Sequence, residues 1–130
     1  MKTSSPAGFT LIELMVVVVI MSVLAAIAIP KYMSTKSNAY IVTMKSDLRN
    51  LATAEAAYFS DSSKYVVYGD TTKLKMRPSA GVSAPVVAVG PSYWSATVTH
   101  SQLPTIRCGI SVSTVNTVVA TAGDGEPACQ

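Results

Sequence analysis

The chain has 130 residues, a formal net charge of +3 and only 13% charged residues, whereas 49% of its residues are hydrophobic. This length allows one compact domain and excludes two. The basic residues are dispersed, and their closest grouping is Lys73, Lys75 and Arg77. That grouping lacks the interleaved aromatic residues of a nucleic-acid surface, so we expect it to be a solvated edge of the structure.

A long apolar run lies near the N-terminus, from Phe9 to Ile29. Thirteen of its 21 residues are Leu, Ile, Val or Phe, and Glu13 is its one charged residue. As a helix it would be about 31 Å long, which matches the hydrocarbon thickness of a bilayer. A charge at the centre of a span costs about 2.5–3.5 kcal/mol, and the apolar residues together outweigh that cost. The run therefore predicts a membrane-spanning helix.

The apolar run differs from an ordinary secretory signal. It is longer than the 7–15 residues of a signal's apolar part, and no small-residue cleavage site followed by polar sequence comes after it. The conspicuous small residue, Gly8, precedes the run. Cleavage there would remove residues 1–8 and leave Phe9 as the new N-terminus of an intact helix. One explanation of Glu13 is then a snorkelling or protonated carboxylate at the membrane interface.

The segment GFTLIELMVVVVIMSVLAAIAIP resembles the N-terminal signature of type IV prepilins and of type II secretion pseudopilins. That signature is a short leader with a basic residue, a Gly, an aromatic residue, Thr-Leu-Ile-Glu and an apolar helix. This chain has these elements in order: Lys2, Gly8, Phe9, Thr10, Leu11, Ile12 and Glu13. The resemblance covers about 23 of the 130 residues.

The resemblance implies a second role for Glu13, in assembly. A prepilin peptidase would cut between Gly8 and Phe9 and then methylate the new amino group of Phe9. The subunit would wait in the inner membrane with its N-terminus in the cytoplasm and its head outside. Helices would then bundle into the core of a fibre, where an unpaired carboxylate is costly. Glu13 would pair there with the Phe9 amine of a neighbouring subunit and so fix the axial register, as buried polar residues do in coiled coils.

The same resemblance implies the partners and the location of the protein. The partners are other copies of the chain in a helical polymer, the prepilin peptidase, the assembly platform with other pilins, and inner-membrane lipid before assembly. The mature location is an extracellular fibre, and contact of that fibre with an outside surface or with DNA stays open. No cofactor is expected.

The sequence after the apolar run predicts that the helix continues. Pro30 either ends the span or kinks one long helix, and Ser34, Ser37 and Asn38 beyond it favour local bonds. We favour the kink, because apolar residues recur at three- and four-residue steps over residues 30–60. These residues are Met33, Tyr40, Ile41, Met44, Leu48, Leu51, Ala52, Tyr58 and Phe59. Lys36, Lys45, Asp47, Arg49 and Asn50 fall largely on the other side. We expect the helix to end near Ser60, about 78 Å from Phe9.

Residues 61–130 predict a small β-sheet head. Short β-prone runs are separated by Gly, Pro, Ser and Asn: Tyr65–Tyr68, Pro85–Val89, Tyr93–His100, Ile106–Val112 and Val115–Ala120. Trp94, Ala96 and Val98 alternate with polar residues, so one face should be buried against the helix. Residues 112–115 suit a tight connection into the next strand, and residues 71–90 predict a loop with one short strand. The fold class is therefore α+β, with three or four antiparallel strands on the C-terminal half of a long helix, the type IV pilin fold.

Two cysteines, Cys108 and Cys129, lie in the head. With one histidine in the chain they are too few for a Cys/His metal site. A disulfide that closes the C-terminal loop is the simpler interpretation if this part lies outside the cytoplasm, and two free buried thiols are the alternative. A loop of this size predicts a stabilisation of roughly 3 kcal/mol.

The remaining polar residues do not predict an enzyme. His100 stands at a Ser/Thr-rich strand end, where we expect a surface residue. Asp124 and Glu126 form a short acidic turn, but two carboxylates fall short of the six or more oxygens that Ca²⁺ prefers, so a solvated turn is favoured. The aromatic residues along the helix and its exit indicate packing, with electron transfer as the weaker alternative: Phe9, Tyr32, Tyr40, Tyr58, Phe59 and Tyr65.

Three functions compete on this sequence. The first is a structural subunit of a type IV pilus that supports adhesion, twitching motility or DNA uptake. The second is a pseudopilin of a type II secretion system, and the third is a single-span membrane protein that never polymerises. The cysteine pair favours the pilin, and the weak acidic turn argues against a calcium-binding pseudopilin.

Overall fold

A computed structural model describes residues 8–69, 73, 74 and 76–130. Residues 1–7 of the predicted leader, Lys75 of the basic grouping and residues 71 and 72 of the predicted loop lie outside the described residues. The described residues form one helix, α1 (Leu11–Ser62), and four strands, β1 (Val86–Val89), β2 (Trp94–His100), β3 (Leu103–Val112) and β4 (Ala128–Cys129). The strands make one antiparallel sheet in the order β1-β2-β3-β4. The predicted α+β class is confirmed.

Helix α1 passes through Pro30 and does not end there. The proposal that this proline simply terminates the span is therefore wrong, while a kink at Pro30 stays a prediction. Ser62 is the last helical residue, two beyond the predicted end. Ser63 stops the helix because it adopts a left-handed φ of 53°, while its amide still donates to the Phe59 carbonyl at 2.8 Å.

The chain divides between Lys36 and Ser37 into two compact units. In the first unit, the side chains of α1 from Leu14 to Ile29 are apolar on all sides, apart from Ser22, and they are exposed. Among the described residues, α1 is the one helix long and apolar enough to cross a membrane. A helix that is hydrophobic all round needs an apolar environment, which is a bilayer or a bundle of other helices.

The core of the second unit lies between the C-terminal half of α1 and one face of the sheet. Met44, Leu48 and Leu51 supply the helix side, as the periodicity predicted. The sheet supplies a set of side chains that are at most 2% exposed: Trp94, Ala96, Val98, Cys108 and Ile110. Burying each large apolar side chain of this kind contributes about 1.5–3 kcal/mol.

Two carboxylates interrupt the apolar face of α1. Asp47 is 3% exposed and Glu55 is fully buried. The prediction that Asp47 lies on the polar side is therefore wrong. Both residues fall on the stripe that Met44 and Leu51 define, since Asp47 is three residues after the first and Glu55 four after the second. Their spacing along the helix is that of buried residues. A charged side chain is usually exposed, so their burial was not predicted.

Two of the five β-prone runs are not strands. Residues 65–68 follow the helix without joining the sheet, and the Tyr65 ring stacks on Phe59 with centroids 4.6 Å apart. Residues 115–120 also leave the sheet, so the predicted tight connection at residues 112–115 is wrong. There Ser113 adopts a φ of 59° and donates its amide to Asp124 Oδ1 at 2.6 Å.

The C-terminal segment covers the second face of the sheet. Asn116 is buried, and its Nδ2 donates to the Gly109 carbonyl at 3.0 Å. Glycine at position 109 leaves room for this segment, since a Cβ there would lie 2.7 Å from Val118 Cγ2. On the same face as Gly109, Ser95 and Ser111 are 7% and 1% exposed. Both faces of β3 are therefore covered over residues 108–111, where the alternation of buried and exposed residues is lost.

Candidate assembly site at the N-terminus

The start of α1 is a reciprocal capping arrangement. Thr10 precedes the first helical residue, and Glu13 is the third residue of the helix. The Thr10 amide and hydroxyl both donate to Glu13 Oε2, at 2.9 and 2.6 Å, and the Glu13 amide donates back to Thr10 Oγ1 at 3.3 Å. This is a capping box, in which a Thr and a Glu three residues later satisfy each other's backbone amides.

The capping arrangement uses one of the two carboxylate oxygens of Glu13. Within the described part of the chain, Oε1 has no hydrogen bond. A carboxylate can accept about four hydrogen bonds, so Glu13 retains capacity for an outside donor while it caps its own helix. The negative charge also lies in the first turn, where the helix dipole favours it.

The surroundings of Glu13 on the helix surface are apolar. It shares a hollow along one side of α1 with Phe9, Ile12, Val16 and Val17. These positions follow the three- and four-residue steps of one helix face. Phe9 is 92% exposed, and Gly8 before it has nothing within 4 Å of its Cβ position. A neighbouring helix packed on this face would meet the Glu13 carboxylate and the Phe9 side chain together.

Cys108 and Cys129 are joined by a disulfide with an S–S distance of 2.03 Å. They stand directly opposite each other on β3 and β4, so the bond links neighbouring strands. Beside the disulfide, Arg107 and Gln130 exchange two backbone hydrogen bonds at 2.9 Å. The bond ties residues 113–127 back to the sheet. Strand β4 itself was missed, because a two-residue strand has no detectable period.

His100 is 4% exposed, so its predicted surface position is wrong. Its ring stacks on Tyr40 of α1 with centroids 4.1 Å apart, and its Nδ1 accepts the Gln102 amide at 3.1 Å. The signal for this burial was present in the sequence. His100 continues the two-residue period of Trp94, Ala96 and Val98, which are the core-facing residues of β2.

The predicted acidic turn lies at the surface of the head. Asp124 and Glu126 are exposed, and Asp124 is engaged by the Ser113 amide. No group of three His, Cys, Asp or Glu side chains that could hold a metal ion occurs among the described residues. Tyr58 and Tyr65 pack against the core of the head, which fits the packing interpretation of the aromatic residues.

The N-terminal region matches a described family. The profile of the prokaryotic N-terminal methylation motif matches residues 4–29. The chain is 45% identical over 58 residues to the type IV major pilin protein PilA of Myxococcus xanthus, which is 45% of this chain and 26% of that protein. It is 42% identical over 65 residues to the type II secretion system core protein G of Pseudomonas aeruginosa, which is 50% of this chain and 46% of that protein.

A third relative is a fimbrial protein of Pseudomonas aeruginosa, 49% identical over 47 residues, which is 36% of this chain and 30% of that protein. The chain thus spans between about a quarter and a half of the length of these curated relatives. The similarity is therefore to one region of each relative.

Proposed function

We propose that this chain, which belongs by its N-terminal region to the type IV pilins and pseudopilins, is a pilin subunit of a type IV pilus. It is made as a membrane-anchored precursor and is not an enzyme. The observation that carries the proposal is the methylation motif at residues 4–29, with Glu13 on an exposed, otherwise apolar helix face. The fibre would serve adhesion, twitching motility or DNA uptake.

Maturation would begin with cleavage between Gly8 and Phe9 by a prepilin peptidase. Gly8 is exposed and precedes the first turn of α1, so the peptide bond stands clear of the helix. Cleavage would turn the Phe9 nitrogen into an amine, and methylation would keep that amine positively charged. The mature chain would then present a cation at the end of α1 and an anion one turn along it.

Assembly would join Glu13 of one subunit to the Phe9 amine of a neighbour. The apolar environment that the helix requires makes an unpaired charge costly, whereas a paired and hydrogen-bonded charge is tolerated. Glu13 Oε2 is used by Thr10 in its own helix. Oε1 would accept the neighbour's amine, so that helix capping and docking proceed together. Glu13 of one helix and the Phe9 amine of the next are in contact in one axial register of the two helices.

The test of this proposal compares Glu13→Gln with Glu13→Ala. Glutamine also serves in a capping box, so Glu13→Gln keeps the helix start and removes the charge. We expect both variants to be cleaved and held in the membrane, and both to lose surface fibres. Normal fibres from Glu13→Gln would refute the charge pairing, and normal fibres from Glu13→Ala would refute any assembly role for this residue.

A pseudopilin of a type II secretion system is the second candidate. The 42% identity over 65 residues to a core protein G supports it. The two candidates differ in where the mature chain accumulates, so intact mass should be measured in sheared surface filaments and in membranes. The pilin is supported if filaments contain the chain without residues 1–8. The mass of that chain should be one methyl group higher, for the methylation, and two hydrogens lower, for the disulfide. The same mature chain in membranes alone would support the pseudopilin, and a chain that keeps residues 1–8 would oppose both.

A further inference from the structure

Glu55 is an acid in the interior of the head unit. Its side chain lies on the core face of α1 and has no exposed surface. Its Oε2 accepts the Val66 amide at 3.1 Å, and its Oε1 has no hydrogen-bond partner among the described residues. A buried carboxylate normally has its oxygens satisfied, because an unsatisfied charged oxygen loses its hydration without compensation. This site therefore disfavours the ionised form.

Apart from the buried Asp47, the charged side chains that the structure describes around Glu55 lie at the surface of the head. Those on the helix and on the following connection are exposed: Arg49, Asp61, Lys64, Lys73 and Arg77. The partly buried titratable groups of the same region are phenols, from Tyr58, Tyr65 and Tyr68. On the sheet, Arg107 is exposed, and His100 stacks on Tyr40, fifteen residues or about 22 Å along the helix from Glu55.

The second buried carboxylate of the helix has a different environment. Asp47 accepts the Ser79 amide on Oδ2 at 2.7 Å and the Ser79 hydroxyl on Oδ1 at 2.8 Å. Both of its oxygens are satisfied, as a buried anion requires. Glu55 accepts one hydrogen bond, whereas Asp47 accepts two. Burial raises the pKa of Glu55 above its usual range, and the bond from Val66 offsets part of that rise.

The hydrogen bond from the Val66 amide to Glu55 holds residues 64–68, the segment that follows the helix, against α1. Val66 is partly buried against the core, and Tyr65 packs between Phe59 and Trp94, with centroid distances of 4.6 and 6.3 Å. Among the described residues, this segment takes no part in the sheet. Its position therefore depends on these side-chain contacts.

We propose that Glu55 is a pH-dependent latch for residues 64–68: its neutral carboxyl group holds the segment on the helix, and its ionisation releases the segment. Opening admits water to the carboxylate, which relieves the cost of a buried charge. The direction of the pH effect follows from linkage. The pKa of Glu55 has its usual value when the segment is open and is raised when the segment is closed, so a rise in pH favours the open form. Between those two values the open population rises about tenfold per pH unit, and outside them it is constant.

The test uses the full chain in detergent micelles and follows two groups by NMR. The carbon-13 shift of the Glu55 carboxyl group reports its ionisation, and the exchange protection of the Val66 amide, corrected for intrinsic rate, reports the latch. We expect the Val66 protection to fall with the titration of Glu55, at a pH above that at which Glu55 titrates in the denatured chain. Trp94 emission, which senses Tyr65, should change over the same pH interval.

The matched variants are Glu55→Gln and Glu126→Gln. The first keeps an acceptor for Val66 and removes the titration, so its Val66 protection should be independent of pH. The second makes the same chemical change at an exposed acid and should behave as the wild type. The proposal is overturned if Glu55 titrates at the same pH in the folded and in the denatured chain, if Val66 protection does not follow Glu55, or if Glu55→Gln keeps the wild-type pH profile. Should that variant not fold, the wild-type titration alone still decides.

Discussion

Thr10 and Glu13 cap the first turn of α1 reciprocally. Both donors of Thr10 point to one oxygen of Glu13, and the Glu13 amide returns a bond to the Thr10 hydroxyl. A residue that the resemblance explains by assembly thus also has a local role in the single subunit. The proposed assembly role would use the other oxygen of the same carboxylate, so substitution can separate the two roles.

Thr10→Ala should weaken the start of α1 by about 0.5–2 kcal/mol, because it removes the capping hydroxyl. The expected result is faster amide exchange at residues 11–14 in detergent micelles, with the rest of the helix unchanged. Thr10→Ser keeps the hydroxyl and should exchange as the wild type does. Equal exchange in all three proteins would show that the capping bonds contribute nothing.

Asp47→Ala should destabilise the head by about 1–3 kcal/mol, because it leaves the Ser79 donors without their acceptor. Denaturant unfolding of the full chain, followed by Trp94 emission, measures the loss. Asp61→Ala, at an exposed position of the same helix, is the control and should change the free energy of unfolding by less than about 0.5 kcal/mol. The bond from the Ser79 hydroxyl is tested by a double-mutant cycle with Ser79→Ala, in which the two losses should not add.

Gly81→Ala should cost more than Gly125→Ala. Both glycines have left-handed φ angles, 86° and 72°, so each alanine incurs backbone strain of about 1–2 kcal/mol. A Cβ on Gly81 would also lie 2.7 Å from His100 Nε2, whereas one on Gly125 meets nothing within 4 Å. The difference between their free energies of unfolding therefore measures the contact with His100. That difference should shrink when both substitutions are made in a His100→Ala background, and a constant difference would contradict the contact.

Replacing both cysteines by alanine should destabilise the head by roughly 3 kcal/mol, the value that chain entropy gives for a loop of this size. Thermal unfolding of the full chain with and without reductant provides the measurement. Reductant should lower the midpoint of the wild type and leave that of Cys108→Ala/Cys129→Ala unchanged. If the wild type does not respond to reductant under conditions in which free thiols appear, the disulfide has no share in the stability of the folded head.

The sequence by itself determined the elements whose pattern is local. The apolar run and the three- and four-residue steps after it predicted one long helix, and the alternation of Trp94, Ala96 and Val98 predicted the buried face of β2. Order and spacing around Gly8, Phe9 and Glu13 indicated the family, because the motif is a continuous segment. These features depend on helix and strand periods, which can be read without knowing what packs against them.

The tertiary structure decided which polar residues are buried. Asp47 and Glu55 are covered because the connection after the helix folds back and supplies the Ser79 and Val66 amides, 32 and 11 residues away. His100 is covered because Tyr40 lies opposite it. Residues 115–120 leave the sheet because Asn116 binds the backbone of Gly109. Each outcome depends on a partner distant in sequence, and burial of a polar group is stable only when such a partner is present.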